Sequence, residues 1–180
     1  MKLFTSTEFN SFQDLFVNQL EDLYDAEQRL TQALPKMADA ANSNQLKQAF
    51  REHLTETQGH VSRLETIFRQ LGTDPKRETC QAMKGLISEG EEMVSATGDP
   101  SIKDAALIAA AQRVEHYEIS GYGTARSFAM RLGRHEAADL LQQTLEEEKA
   151  ADEKLNQIAE SSVNRQAAAQ TTTAAGSTRY

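Results

Sequence analysis

Arg113-Val114-Glu115-His116-Tyr117-Glu118-Ile119-Ser120-Gly121-Tyr122 lies in the middle of a long run with helical periodicity. At about 100° per residue, Ile108, Ala111, Glu115, Glu118, Tyr122, Ala125 and Ala129 fall on one stripe. Two carboxylates one turn apart therefore occupy places where a packed helix carries Leu or Ala. Stripping an ionised carboxylate of water is costly unless a cation meets it. What meets these two decides how the rest of the chain is read.

Outward from this stretch, the helix spans about Ile102 to Leu132 and closes at Gly133. Gly121 and Gly123 beside Tyr122 weaken it locally and imply a close helix contact or a bulged turn. The next helix runs from about His135 to Ser161, with Leu141, Thr144, Leu145, Glu148, Asp152, Leu155 and Ala159 on its stripe. On the N-terminal side a shorter helix covers about Thr79 to Ala96. It sits in an interval, Gly72 to Asp99, long enough to carry the chain back along a bundle. Before it, a helix from about Gln45 to Leu71 has Leu46, Phe50, Leu54, Val61, Leu64 and Phe68 as its stripe. Thr57 is near its centre, with His53, Glu56 and His60 on one flank. The first helix opens at a capping box, Ser11-Phe12-Gln13-Asp14. Phe16, Leu20, Leu23, Leu30, Leu34 and Ala38 form its stripe, Glu27 falls inside it, and Pro35 should kink it.

The chain of 180 residues, with three Pro, no Trp and a formal charge of −8, suits one all-helical domain. That charge excludes nucleic acid or an anionic membrane as the main partner. No apolar run approaches the roughly 18 residues that span a bilayer, and the N-terminus has no signal pattern. A single cysteine, Cys80, excludes a disulfide framework and fits a reducing cytoplasm; it reads as a half-buried small residue. The domain is expected over residues 1–164. Residues 165–180, composed of Gln, Ala, Thr, Ser and Gly with Arg and Tyr at the end, are expected to be a disordered tail.

Three long helices thus place acids at mid-stripe, and antiparallel packing brings them to similar depth. No Lys or Arg shares a stripe within one turn of them; Arg126 is about two turns from Glu118, roughly 12 Å away. A single mid-stripe Glu is ordinarily a rim residue or an ion-paired one, but repetition on three helices points to a bound metal pair. The expected ligands are Glu27, His53, Glu56, Glu115, Glu118, Glu148 and Asp152. His60 could bind metal or orient a carboxylate, and His53 is preferred over it because it and Glu56 flank Thr57. His116 and His135 point away from the stripes. Tyr24 and Tyr122, one turn from Glu27 and Glu118, read as hydrogen-bonded core tyrosines, with a redox or proton-relay role as the alternative. Carboxylate-rich ligation favours iron or manganese.

The run Asp104 to Glu118, together with Thr144-Leu145-Glu146-Glu147-Glu148-Lys149 and His53-Leu54-Thr55-Glu56-Thr57, resembles the bacterial YciE/YciF stress-induced family. The resemblance covers Phe12 to about Asn164. It implies a ferritin-like four-helix bundle with a long crossover and a central site for two Fe or Mn ions. Glu115-x-x-Glu118 is similar to the third-helix pair of rubrerythrin-type sites, and Glu115-x6-Tyr122 resembles another motif of such proteins. The family pattern departs at two places. Ferritin-like helices two and four usually carry Glu-x-x-His, whereas Glu56 leads to Gly59 and Glu148 to Ala151. The resemblance implies stress defence by reaction with peroxide or O₂. Non-catalytic iron storage and a metal-free helical interaction module are the rival readings. A homodimer is expected, since a bundle of this size exposes an apolar strip.

Overall fold

In the computed structural model, which describes residues 8–75 and 78–169, the sequence stripes become α1 (Phe12–Ala40), α2 (Asn44–Leu71), α3 (Gln81–Ser95), α4 (Pro100–Arg131) and α5 (His135–Ile158). Ser11 Oγ accepts from the Asp14 amide at 3.1 Å, opening α1 as the capping pattern requires. Asp14 reaches back one residue further than a standard box and accepts from the Asn10 amide at 3.0 Å. Ser43 caps α2. Gly72 (φ 68°) and Gly133 (φ 69°) turn the chain out of α2 and α4 in the left-handed conformation. The helix α1 continues through Pro35, with Leu34, Met37 and Ala38 buried on either side of it.

Short connections make α1 and α2 one antiparallel pair and α4 and α5 another. The pairs close on each other through α1 against α4 and α2 against α5, while α3 lies across α1 and α4. The α1–α2 turn is pinned by Asp104 of α4. Its buried carboxylate accepts the amides of Asn42 and Ser43, each at 2.7 Å. Cys80 is more deeply buried than its sequence context implied, at 1 % exposure. Its Sγ caps α3 by accepting from the Met83 amide and lies 3.1 Å from the Tyr117 hydroxyl, which itself donates to Asp22. Burial pushes the Cys80 thiol pKa up. Among the described residues no helix is long and apolar enough to cross a membrane.

The C-terminal boundary differs from the sequence expectation. A π turn, Ala159–Val163, follows α5, and residues 164–169 continue as helix instead of beginning a disordered tail at 165. The extra residue of the π turn brings Val163 into the core at 1 % exposure, and Ala167–Ala169 favour the helix that follows. Residues 170–180 of the expected tail lie outside the described residues.

The apolar core is two blocks. One joins Leu30, Leu34, Leu46, Phe50, Ile108, Ala111 and Leu155; the other joins Phe16, Leu20, Leu23, Leu64, Phe68, Tyr122 and Leu145. On every long helix the change from one block to the other falls at the acids or histidines singled out above. The second block contains the close contact foreseen at Tyr122: a Cβ on Gly121 would lie 2.7 Å from Leu23 Cδ2, whereas one on Gly123 would meet nothing within 4 Å. Leu23 is fully buried and has little room to move. Gly121→Ala should therefore destabilise the fold by about 1–3 kcal/mol through overpacking. Gly123→Ala should stabilise it by roughly 0.5–1 kcal/mol through helix propensity. Urea denaturation of the two variants checks the opposite signs.

Candidate metal centre

The waist between the two blocks is built by four helices. Glu27 comes from α1, His53 and His60 from α2, Glu115 and Glu118 from α4, and Glu148 from α5, all at 6 % exposure or less. Their donor atoms form two groups, His53/Glu115/Glu118/Glu148 and Glu27/His60/Glu148. Within each group the atoms lie within 4.8 Å of one another, and Glu148 belongs to both.

On α2 the inward line runs Phe50, His53, Thr57, His60, Leu64, at alternating spacings of three and four. The two histidines are therefore two turns apart on the inner face, their rings 6.2 Å apart. Each holds one nitrogen inward and gives the other to an outer carboxylate. His53 Nε2 is 3.4 Å from Glu115 and 3.6 Å from Glu148, while its Nδ1 is 3.2 Å from Glu56. His60 Nδ1 is 2.9 Å from Glu148 and 3.2 Å from Glu27, while its Nε2 is 2.9 Å from Glu147. Glu147 is held in turn by the two terminal guanidinium nitrogens of Arg63, at 2.6 and 2.8 Å. Backing an imidazole with a carboxylate in this way fixes which nitrogen faces a metal.

The inward atoms are close but not aligned as hydrogen bonds. Glu27 Oε2, His53 Nε2, His60 Nδ1, Glu115 Oε2, and both oxygens of Glu118 and of Glu148 have no hydrogen-bond partner. Buried polar atoms are rarely left so. Among the described residues the basic groups within ion-pair distance of these acids are the two histidines. Burial, and then the neighbouring carboxylates, raise the pKa of Glu118 well above the ordinary range. Burial does the same to Glu115 and raises Glu148, partly offset by His53 and His60 respectively. Burial alone would lower both histidines, but Glu115 and Glu56 raise His53. Glu148 and Glu27 push His60 up to about 11. The cluster without metal thus holds protons that a bound cation would replace.

The residues present fit bound metal. The donor set is four carboxylates and two imidazoles with no thiolate, suited to hard or borderline ions such as Fe and Mn. It has the inventory of the di-metal bundles, four Glu and two His, distributed differently. Here α2 supplies both histidines and no buried glutamate, while the Glu-x-x-His position on α5 is Ala151.

Several sequence-expected residues lie outside this group. Glu56 has a side chain 45 % exposed and touches the cluster through the outer nitrogen of His53. Asp152 accepts from Gln112 at 3.1 Å and lies 3.4 Å from the exposed His116; the buried line of α5 passes Leu141, Thr144, Glu148 and Leu155 instead. Tyr24 donates to Glu65 at 3.0 Å and stands edge-on to Phe68. Tyr122 is fully buried, and its hydroxyl donates to Glu27. His60, the residue left secondary by the sequence reading, stands at the centre.

Comparison with known proteins agrees with this architecture. The family profile described as "Domain of unknown function (DUF892)" matches residues 11–168. The chain is 47 % identical over 158 residues to protein YciF of Escherichia coli strain K12, covering 87 % of this chain and 95 % of that one. The crystal structure of the E. coli stress protein YciF superposes with a TM-score of 0.84 at 46 % identity, over 87 % of this chain and 99 % of that one. Ferritin-like, diiron-carboxylate proteins from Bacillus anthracis strain Ames superpose at 0.65 with 16 % identity, over 83 % and 99 % of the chains, a likeness of fold.

Proposed function

We propose that this chain, which belongs to the DUF892 family and has a ferritin-like four-helix fold, holds two iron or manganese ions at its waist and uses them in stress defence against peroxide or O₂. The observation that carries the reading is the set of buried, unpartnered donor atoms from all four long helices. The proposed ligands are Glu27, His53, His60, Glu115, Glu118 and Glu148, with Glu148 shared between the two positions. Bound there, the ions would supply the one-electron steps and Lewis acidity that reduction of an oxidant requires.

The chain's own residues would prepare that chemistry. Glu147 and Glu56 fix the two imidazoles from behind. Tyr122, donating to Glu27, would orient that carboxylate and could return a proton through it. Glu118, with both oxygens unpartnered and, unlike Glu148, no histidine within ion-pair distance among the described residues, is the carboxylate freest to change its binding mode. The two apolar blocks exclude bulk water from above and below. The exposed apolar side chains Phe9, Phe12 and Met130, all at the end of the bundle where Phe12 meets Phe128, support a second copy of the chain as partner. Sedimentation equilibrium reporting a monomer would remove that part.

The test is anaerobic loading of the purified chain with Fe(II) or Mn(II), followed by excess hydrogen peroxide. Repeated peroxide consumption, many equivalents per chain and absent from Glu115→Ala, is the expected result. A single stoichiometric oxidation that then stops would favour iron storage over turnover.

A further inference from the structure

We propose that the cleft between α2 and α5 beside His53 admits divalent cations to the buried cluster, and that Glu56 is the transit ligand at its mouth. The inference rests on the metal-binding reading above, and deepens it by assigning Glu56 a role that the buried cluster does not.

A cavity of about 160 Å³ lies over Ala49, Phe50, His53, Glu56, Glu115 and Ala151. At about 30 Å³ per water it has room for roughly five, enough for a cation keeping part of its shell. Its floor is functional: His53 and Glu115 are 6 % and 2 % exposed, and His53 Nε2 and Glu115 Oε2 are among the unpartnered buried atoms. Its far wall is kept low by Ala151, where a longer side chain would fill the space. The mouth carries Glu56 together with Glu52 and Lys154, which pair across it from α2 to α5. Glu52 is taken up by Lys154, which leaves Glu56 as the exposed carboxylate at that mouth open to a cation.

Glu56 is placed to transfer an ion rather than to keep one. Its Oε2 contacts His53 Nδ1 at 3.2 Å, on the opposite side of the ring from the nitrogen that faces the cluster. It cannot share an ion with Nε2 while it holds Nδ1. When Glu56 takes an incoming cation, His53 loses the contact that orients it and its ring can turn toward the mouth. When the cation has passed inward, Glu56 returns to Nδ1 and Nε2 is again held toward Glu115 and Glu148.

The test is stopped-flow uptake of cobalt(II) by the metal-free full chain, read from the visible absorbance of the bound ion. Glu56→Ala should slow uptake by roughly tenfold, while Lys154→Ala should speed it by about threefold. Lys154→Ala should leave final cobalt stoichiometry and spectrum unchanged; Glu56→Ala also removes the backing of His53 Nδ1, so its affinity should fall while saturating cobalt still fills it to the parent stoichiometry. Added salt should slow the parent more than Glu56→Ala, because the mouth acts through its charge. Ala151→Leu should also slow uptake by filling the cavity. Both charge variants alter exposed residues, so the result does not depend on Ala151→Leu folding. Parent-like uptake in Glu56→Ala overturns the inference, and so does a lowered final stoichiometry, which would make Glu56 a resident ligand. A parent chain that gives no cobalt signal at all overturns the metal reading itself, an outcome distinct from a slowed approach to the same end point.

Discussion

Glu148→Ala should lower bound metal from about two ions per chain to near zero, the largest loss of any single substitution in the cluster. Glu148 is the one residue common to both groups of donor atoms. Its two oxygens approach different imidazoles, Oε1 at 2.9 Å from His60 and Oε2 at 3.6 Å from His53. Removing it takes an anionic donor from each position at once. Glu115→Ala and Glu27→Ala each touch one group only, and should retain about one ion. Elemental analysis after equilibration with excess Mn(II) or Fe(II) and gel filtration distinguishes the three variants. Two ions retained by Glu148→Ala would mean that the metal lies elsewhere or that the cluster binds none. Equal losses in all three would mean that the positions fill together rather than as two groups sharing a bridge.

The acids of this cluster were legible because each interrupts an apolar stripe whose period is set by helix geometry. Glu27 between Leu23 and Leu30, and Glu115 with Glu118 between Ala111 and Tyr122, can be placed at the waist by counting residues. The histidines were harder, since the stripe on α2 can be drawn through Leu54 and Val61 as well as through His53, Thr57 and His60. The structure buries the second line and leaves Leu54 and Val61 only partly covered. The signal that favours it was in the sequence: Phe50, His53, Thr57, His60 and Leu64 keep the alternating three-and-four spacing of an inward seam. Asp152 misled for a related reason. It is one turn from Glu148, but the next buried position on α5 is Leu155, and the Asp152 carboxylate stays at the helix edge with Gln112 and His116. The backing by Glu147 and Arg63 could not be read at all. It is a contact between α2 and α5 at residues that look like a solvated charged face until the helices are placed. The helix over 164–169 was missed because composition favours disorder there, while the π turn that anchors it is a tertiary feature.

Without metal, the protein should lose stability as pH rises through neutrality. The sign follows from which state holds more protons. His60 keeps its proton in the folded chain to about 11, whereas an unfolded histidine releases it near 6.5. Below 6.5 His60 is protonated in both states and its contribution to stability is fully present; above it, folding must take up a proton, and that contribution fades as pH approaches the folded value. His53 is raised in the same direction. Glu115, Glu118 and Glu148 are also raised, so above 4.5 the folded state again binds more protons than the unfolded one. Each extra proton in the native state costs about 1.4 kcal/mol of stability per pH unit. In a chain of this size that corresponds to a fall in Tm of roughly 3–6 °C per unit. Bound cations would displace these protons, and because protons then compete with metal, loading should flatten or reverse the slope. Calorimetry of chelator-stripped and Mn(II)-loaded protein between pH 6 and 8.5 supplies the comparison. A stripped protein whose Tm is level or rises over that interval would mean that the waist carries no excess protons. Its carboxylates would then be neutralised by something other than the histidines that face them.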